Sequence, residues 1–344
     1  MISLFKEIPY YLILFKKYLG NKIYIAFILN IFASLAEGFG IALLIPFFET
    51  LDNNLSPQEL TGISLYIKKL FDFLNLPTNT FSFIIFIGLI FSIKGLLTFG
   101  SKASSAFLTG KLLEKLKIRL VSAFSKVTFL HYSKEDTGHF INISNEQTYF
   151  VLVSFNFFNQ TIGMFINAFV YLIIILFISW QLCLSTIFLA IISFYAFASV
   201  NKFSKKLSRK SVIEKSKLSN LLIQSLQSFK YLLATGQTNV LNKFIVNSIK
   251  NLTNLEIKKE VAYAFSISIR EPLSVIGILI ILFFQTIVFK QSLSSILVSL
   301  LLIYRSYTAI FLIQSYWQRV LSNIGSLELI NNELNVLLNN KEIS

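Results

Sequence analysis

Long apolar runs alternate with polar, mostly basic segments along the 344 residues, and this alternation predicts six membrane-spanning helices. Each run has about 20 residues or more, which is enough to cross roughly 30 Å of hydrocarbon. The predicted spans cover residues 23–48, 81–102, 150–179, 182–200, 263–289 and 295–317. The pattern therefore predicts an all-α membrane protein.

The two ends of the chain predict helices of a different kind. Residues 1–22 mix apolar positions with Lys6, Lys16 and Lys17, which is typical of an amphipathic helix lying in the headgroup region, with Pro9 bending it. Residues 319–344 predict a helix that continues beyond the last span. Its apolar positions follow helical spacing at Val320, Ile324, Leu327, Leu334 and Leu337.

The helix of the second span is predicted to continue past the membrane surface. Apolar residues recur every three or four positions beyond residue 102, at Leu113, Leu116, Leu120, Phe124 and Val127. A helix from Phe81 to about Thr128 would be about 70 Å long, at 1.5 Å per residue. This is twice what a bilayer needs, so the excess is expected to project into water and to pack its apolar face on a neighbouring helix.

Two polar excursions carry most of the positive charge. Residues 102–150 contain 7 Lys or Arg and 4 Asp or Glu, and residues 201–262 contain 12 against 3. The second excursion predicts two helices, around residues 207–227 and 239–259, with a break near Thr235 and Gly236. Because cytoplasmic loops are enriched in Lys and Arg, both excursions and both termini are predicted to be cytoplasmic.

Composition supports the membrane class over the soluble classes. Hydrophobic residues make up 54% of the chain and charged residues only 14%, with a mean hydropathy of +0.67. Soluble domains carry about a quarter charged residues. The net charge of +14 lies mainly on the excursions, so nucleic-acid binding is not predicted. His131, His139 and the single Cys183 are too scattered to predict a metal site or a disulfide.

Three passages resemble the transmembrane domain of ABC exporters. Residues 132–146 are similar to the family's first intracellular loop, which has a Thr-Gly pair, a short helix and an acid; Glu146 stands where the family more often has Asp, and Asn142 where it often has Arg. Residues 228–236 resemble its second coupling segment. Residues 37–46, with Tyr304-Arg305 and Trp317-Gln318, are most similar to the branch that flips lipid-linked oligosaccharides.

The resemblance implies a fold of six long transmembrane helices with two extended cytoplasmic helical hairpins. Residues 1–22 would form the elbow helix, residues 23–318 the transmembrane domain, and residues 319–344 a lead-in to a nucleotide-binding domain. Two such transmembrane domains would form a dimer in a bacterial inner membrane and work by alternating access. The residues expected to couple them to the nucleotide-binding domain are Thr137, Gly138, Phe140, Glu146, Phe229, Tyr231, Thr235 and Gly236.

The sequence contains no phosphate-binding loop of the Gly-x-x-x-x-Gly-Lys-Ser/Thr type and no ABC signature. Gly110-Lys111 is the nearest fragment, but Ser105 and Leu112 occupy the positions that need glycine and a hydroxyl. We therefore expect that the chain binds no cofactor itself and that ATP and Mg²⁺ bind a partner nucleotide-binding domain. That domain would be a separate chain or a missing C-terminal part. No catalytic constellation is predicted.

Charged residues within the predicted spans are candidates for the substrate pathway, because charge inside a membrane usually faces a pathway or a partner. These residues are Glu37, Lys94, Arg270, Glu271 and Arg305. Arg305 is the preferred contact for an anionic lipid phosphate, since a guanidinium can bind phosphate with two hydrogen bonds. Arg270 and Glu271 could equally pair with groups near the membrane interface.

Three other functions remain open from the sequence. A peptide exporter of the same fold is one. A secondary carrier that needs no ATPase is another, but it predicts broken helices near the midplane and gives no reason for such long cytoplasmic segments. A membrane-embedded enzyme should show clustered His, Asp or Glu, and two separate histidines argue against it.

Overall fold

The computed structural model describes residues 2–51, 67, 69, 71–73, 77, 79–129, 137–178, 180–283 and 293–340. The elements in these ranges are all helical. In chain order they are α1 (Ile2–Leu19), α2 (Ile23–Ala42), α3 (Leu44–Leu51), α4 (Thr80–Phe124), α5 (Thr137–Asn142), α6 (Thr148–Ile178), α7 (Trp180–Gln227), α8 (Phe229–Ala234), α9 (Thr238–Ser268), α10 (Arg270–Phe283), α11 (Leu293–Ser322) and α12 (Ile324–Asn339). A 3₁₀ turn, Gly20–Lys22, joins α1 to α2, and a π-helical turn, Ile143–Gln147, joins α5 to α6.

Two helices are far longer than a bilayer is thick. Helix α4 has 45 residues and α7 has 48, so they are about 68 and 72 Å long against roughly 30 Å of hydrocarbon. Helix α7 bends by 40° between Ile192 and Phe197. The predicted extension of the second span is therefore present. Its buried face is formed by Leu112, Leu116 and Leu120, so Leu112 takes the place predicted for Leu113.

Four helical stretches are long and apolar enough to cross a membrane, or five if the two parts of the bent α7 count as one span. The four are Ile8–Phe48, Thr80–Phe124, Gly138–Phe177 and Asn239–Phe283. Together with α7 they contain the described residues of five of the six predicted spans, except Ile178. Residues 295–317 lie in α11, which is not among these candidates.

The helices alternate in direction along the chain. For each pair of helices, two contacts at different heights give the relative direction. Helix α2 is antiparallel to α4 (Ala26–Ser101 and Glu37–Lys94) and parallel to α6 (Asn30–Gly163 and Ser34–Asn167). Helix α11 is antiparallel to α6 (Ser154–Val320 and Phe157–Tyr316) and parallel to α7 (Phe197–Phe311 and Ser204–Gln318), and α7 is antiparallel to α9 (Ser211–Glu256 and Glu214–Ser248). Successive long helices therefore run in opposite directions.

Both ends of the chain pack on the same hydrophobic core. In α1, the Phe15 ring lies 4.9 Å from the Phe155 ring, and the Tyr11 ring lies 5.9 Å from that of Trp317. The apolar positions predicted for the last helix, Val320, Ile324, Leu327, Leu334 and Leu337, are all buried. Their burial in the same cluster as Phe15 ties α1 and α12 to the long helices.

The polar segment between α7 and α9 is helical with two short breaks. Helix α7 ends at Gln227, and the six-residue α8 ends before Gly236, where the sequence predicted a break. Gly236 has φ +67, a conformation that favours glycine. The Gly236 and Gln237 amides donate to the carbonyls of Leu233 and Leu232, which is the Schellman arrangement that ends a helix.

Candidate functional site

A buried carboxylate joins two cations inside the helical bundle. Glu37 on α2 lies 2.9 Å from the Lys94 ammonium on α4 and 3.5 Å from the Arg305 guanidinium on α11. Tyr171 on α6, itself buried, also hydrogen-bonds the Glu37 side chain. The Glu37 side chain is 7% exposed, while those of Lys94 and Arg305 are 25% and 47% exposed. We call these four residues the ion cluster; it connects four helices and carries a formal charge of +1.

The ion cluster lies well inside the bundle along the helix axes. Glu37 precedes the end of α3 at Leu51 by 14 residues, and Lys94 and Arg305 follow the starts of α4 and α11 by 14 and 12 residues. At 1.5 Å per residue, all three lie about 20 Å from these helix ends. Charges at this depth face a cavity or a partner group rather than lipid.

Polar contacts continue along the interface between α2 and α6. The Asn30 amide donates to the Gly163 carbonyl at 3.1 Å, and the Ser34 hydroxyl hydrogen-bonds the Asn167 side chain. With Glu37 and Tyr171, these pairs recur every three or four residues on both helices. The ion cluster is therefore the end of a polar seam that fixes the register of α2 against α6.

Two glycines beside Glu37 allow the close approach that the ion cluster requires. A methyl group added at Gly38 would lie 2.3 Å from a methyl carbon of Ile174 on α6, and one added at Gly40 would lie 2.8 Å from the Phe91 ring on α4. A larger side chain at either position would have to displace the Ile174 or the Phe91 side chain, so the glycines let α2 pack closely on α6 and α4. The glycines thus place the Glu37 carboxylate within reach of α4 and α6.

A second group of contacts holds the short helix α5 at the far end of α4. Gly138 is buried against α7, and its carbonyl accepts a hydrogen bond from Ser219 at 3.4 Å. The His139 imidazole lies 3.2 Å from Glu333 on α12, and the Phe140 ring packs edge-on against Phe124 on α4 at 4.7 Å. Helix α5 is therefore fixed to three long or terminal helices at once.

An ionic network extends from the turn after α5 to α7 and α9. The Lys215 ammonium on α7 lies 3.6 Å from Glu146 and 3.4 Å from Glu256 on α9, and 3.4 Å from the centre of the Phe150 ring. Glu256 also accepts hydrogen bonds from Ser211 at 2.6 Å and from Lys259. We call Glu146, Lys215, Glu256 and Lys259 the α5–α9 network. It lies outside the predicted spans.

Protonation of the α5–α9 network reflects both burial and pairing. Burial lowers the pKa of the Lys215 ammonium, and Lys259 adds to this effect while the carboxylates of Glu256 and Glu146 oppose it. Burial alone would raise the pKa of Glu256. The Ser211 hydrogen bond and the charges of Lys259 and Lys215 together outweigh burial and hold that pKa below its ordinary value.

Replacing Glu256 by glutamine is expected to destabilise the protein in a pH-dependent way. Because the pKa of Glu256 is lower in the folded state, its contribution is present above the ordinary Glu pKa of about 4.3 and is lost as pH falls through the folded value. We expect a loss of about 1 kcal/mol at pH 7, since solvent screens a carboxylate that is 36% exposed. Thermal unfolding in detergent should show this difference at pH 7 and a smaller one at about pH 4.

The matched control for Glu256→Gln is Glu114→Gln. Within the ranges that the structure describes, the only ion pair of Glu114 is with Lys111, three residues earlier on α4, and the Glu114 side chain is 51% exposed. This substitution is expected to change the unfolding temperature little at either pH. A difference between Glu256→Gln and the unchanged protein that stayed constant with pH would contradict the pairing of Glu256.

Helix α8 presents apolar side chains to solvent. Phe229, Tyr231 and Leu233 are all more than half exposed. Within the described residues, the hydrogen bonds of Thr235 and Gly236 are local ones, including a bond from the Thr235 hydroxyl to the Tyr231 carbonyl at 2.8 Å. Helices α5 and α8 therefore differ: the first is packed within the chain, and the second exposes apolar side chains on more than one of its faces.

A comparison with protein families matches this architecture. The model of the ABC transporter transmembrane region matches residues 23–316, which is most of the chain. The chain belongs to this family. As an ABC transmembrane domain it is a membrane protein, and membership implies pairing with a nucleotide-binding domain. No curated protein matches the chain.

The ABC transmembrane domain brings together three of the five charged residues predicted for the substrate pathway. Glu37, Lys94 and Arg305 meet in the ion cluster. Arg270 and Glu271 begin α10, and within the described residues neither forms an ion pair. They lie outside the ion cluster because Arg270 is near Tyr316, which is 11 residues or about 16 Å from Arg305 along α11, and because Glu271 is exposed.

The predicted coupling residues fall into two groups. Gly138, Phe140 and Glu146 point into contacts with α7, α4 and Lys215, whereas Phe229 and Tyr231 are exposed on α8. Thr137 begins α5, and its side chain lies outside the described residues, as do residues 132–136 of the predicted loop. The first group therefore packs within the chain, whereas the second is exposed on the surface of the described chain.

Sequence reasoning missed several members of both groups of contacts. Tyr171 and Ser34 were not singled out, because a tyrosine or serine in an apolar span is common. The available signal was the matching spacing of Asn30, Ser34 and Glu37 with Gly163, Asn167 and Tyr171. Lys215 and Glu256 were counted only as charge, since no local motif predicts which side chains of two polar helices meet.

Proposed function

We propose that the chain is the membrane-embedded part of an ATP-driven exporter that moves an anionic amphipathic or lipid-linked substrate by alternating access. In this proposal the chain hydrolyses no ATP itself. A nucleotide-binding partner acts on α5 and α8, and the ion cluster contacts the anionic group of the substrate. The observation that carries the proposal is the joining of four helices by one buried carboxylate inside an ABC transmembrane domain.

Topology in the proposal is six spans with both termini in the cytoplasm. The alternating directions of α2, α4, α6, α7, α9 and α11 support an even number of crossings by these six helices. The excess of Lys and Arg over residues 102–150 and 201–262 supports the cytoplasmic side for the extended helix ends. Helices α5 and α8 then lie on that side, beyond the membrane, where a soluble partner can reach them.

Force transmission is supported by the continuity of the helix that leads from α5 to the ion cluster. Helix α4 is continuous from Thr80 to Phe124, so it contains Lys94 of the ion cluster and Phe124, which packs on Phe140 of α5. A displacement of α5 is therefore applied to the same helix that holds a partner of Glu37. About 45 Å separate Lys94 from Phe124 along α4, at 1.5 Å per residue.

The class of substrate follows from the charge of the ion cluster. Two cations share one carboxylate, and the more exposed cation, Arg305, has fixed planar donors suited to a phosphate. An anionic group entering beside Arg305 would replace part of its interaction with Glu37. A neutral or cationic substrate would form no favourable charge interaction with Arg305.

A dimer of such domains is part of the proposal. Beyond the predicted spans, α7 and α9 expose large apolar side chains, among them Ile213, Ile257 and Val261. Apolar surface on helices that project into water needs a covering surface. A second copy, or a homologous half, would provide it.

Transport in proteoliposomes tests the proposed function. The chain and its nucleotide-binding partner would be reconstituted with fluorescent phospholipid probes, and movement of each probe would be followed by its accessibility to an external quencher. We expect ATP-dependent movement of a probe with an anionic headgroup, little with a zwitterionic one, and loss of this preference in Arg305→Ala. Movement driven by an ion gradient and indifferent to ATP would instead identify a secondary carrier.

A further inference from the structure

We propose that the junction of the 3₁₀ turn, α2 and α4 is a binding site for one anionic phospholipid in the leaflet on the side of α1. The site is a cleft of about 300 Å³ lined by Lys22, Ile25, Ala103, Ser104, Phe107 and Leu108. It is separate from the ion cluster, and its existence does not depend on transport. The bound lipid would serve as a fixed part of the membrane domain rather than as its substrate.

The depth of the cleft coincides with the membrane boundary. The Ser101 hydroxyl on α4 donates to the Ala26 carbonyl on α2 at 3.0 Å, and Gly100 faces Leu29. Because the two helices are antiparallel, Lys22 then lies level with residues 104–107. Lys22 immediately precedes the predicted span 23–48, and this predicted boundary would place the cleft at the height of the lipid headgroups.

Charge at the cleft suits a lipid phosphate. Lys22 is exposed, and within the described part of the chain its side chain has no hydrogen-bond or ion-pair partner. The Ser104 hydroxyl lines the same cleft and can donate to a phosphate oxygen. Lys16 and Lys17, a few residues earlier, raise the local concentration of anionic lipid around the junction.

Apolar surface continues from the cleft towards the membrane interior. On α2, Ile25, Ile28 and Phe32 are exposed at spacings of three and four residues and so share one face. On α4, Leu96 and Phe99 are exposed at the same spacing and lead to Ala103. An acyl chain can therefore lie along both helices while the headgroup stays beside Lys22. This continuity favours a lipid over a free anion.

A photoreactive lipid tests the proposal. The full chain would be reconstituted with phosphatidylglycerol that carries a diazirine in its acyl chain, and the labelled peptides would be mapped by mass spectrometry. We expect adducts on peptides containing residues 25–32 and 96–107, and much weaker labelling by the matching phosphatidylcholine probe. Lys22→Gln should lower the phosphatidylglycerol adducts roughly fivefold, as expected for one Lys at a membrane surface.

Lys102→Gln is the matched control, because Lys102 is also exposed but lies about 160° from Ser104 and about 140° from Phe107 around α4. It should leave labelling of the two peptides unchanged, and excess inorganic phosphate should not compete. Any of three results would overturn the proposal: equal labelling by the two probes, equal labelling of Lys22→Gln and the unchanged chain, or an equal loss of labelling in Lys22→Gln and Lys102→Gln. Displacement by inorganic phosphate would also overturn it and indicate a site for a free anion.

Discussion

Replacing Glu37 by glutamine is expected to lower ATP-dependent transport at least tenfold and to destabilise the protein by about 2 kcal/mol. The substitution preserves the size of the side chain but leaves Lys94 and Arg305 without their shared carboxylate. Removing one partner of a fully buried ion pair costs about 3 to 5 kcal/mol, and the partial exposure of both cations reduces this figure. The proteoliposome assay and thermal unfolding in detergent measure the two effects.

A double variant tests whether the effect of Glu37→Gln comes from the lost charge rather than from altered packing. Glu37→Gln combined with Lys94→Gln removes one charge of each sign and leaves Arg305 as the only charge of the ion cluster. The double variant should be more stable than Glu37→Gln alone, which a double-mutant cycle detects as a coupling energy of about 1 kcal/mol or more. If Glu37→Gln were as stable and as active as the unchanged protein, the ion cluster would have no role in holding the four helices.

Replacing Gly138 by valine is expected to separate ATP turnover from transport. A carbon added at Gly138 would lie 2.7 Å from the Asn220 side-chain oxygen and 3.1 Å from the Asn220 Cα, so α5 must move away from α7. We expect the chain to insert and to bind its nucleotide-binding partner, with a loss of about 1 to 3 kcal/mol typical of overpacking. Transport per ATP hydrolysed should fall about tenfold or more, because α5 would no longer move with α7 and α4.

Gly110→Val is the control for Gly138→Val, since it adds the same side chain on α4 where nothing lies within 4 Å. It should leave the ratio of transport to ATP hydrolysis unchanged. Normal coupling in Gly138→Val would exclude α5 as a point where force enters.

Gly236 is sensitive to substitution for a different reason: it has open space around it but a φ of +67. Gly236→Asn should therefore be tolerated better than Gly236→Val.

The spacing of apolar residues along the chain predicted the long helices, because apolar residues recur on the face of a helix that packs against other helices. The positions predicted from Val320 to Leu337 are all buried, and α4 continues to Phe124, beyond the predicted span, as its apolar face indicated. The choice between Leu112 and Leu113 was wrong by one residue, since adjacent leucines differ by only 100° around a helix. Which neighbour covers the face was not predictable, because it depends on how distant helices pack.

Pairing of charges within the candidate site was harder to predict than the presence of charge. Glu37, Lys94 and Arg305 stood out because ionised groups are rare in a span, but the sequence separations of 57 and 211 residues give no local signal that they meet. Arg270 and Glu271 stood out for the same reason and do not join them. The difference arises from the height at which they lie in the bundle, since Arg270 is near Tyr316, about 16 Å along α11 from Arg305.

Photocrosslinking from α8 tests the central claim most directly, because the claim requires a nucleotide-binding domain at the far end of the long helices. A photoreactive amino acid would replace Tyr231, which is exposed on α8, and in a second variant Phe99, which is exposed on the predicted membrane part of α4. After irradiation of intact membranes, we expect the Tyr231 variant to yield an adduct with a polypeptide that contains a phosphate-binding loop and an ABC signature, identified by mass spectrometry, and the Phe99 variant to yield lipid adducts. If the Tyr231 variant also yielded only lipid adducts, α8 would lie at the membrane surface and the proposed coupling to ATP would be contradicted.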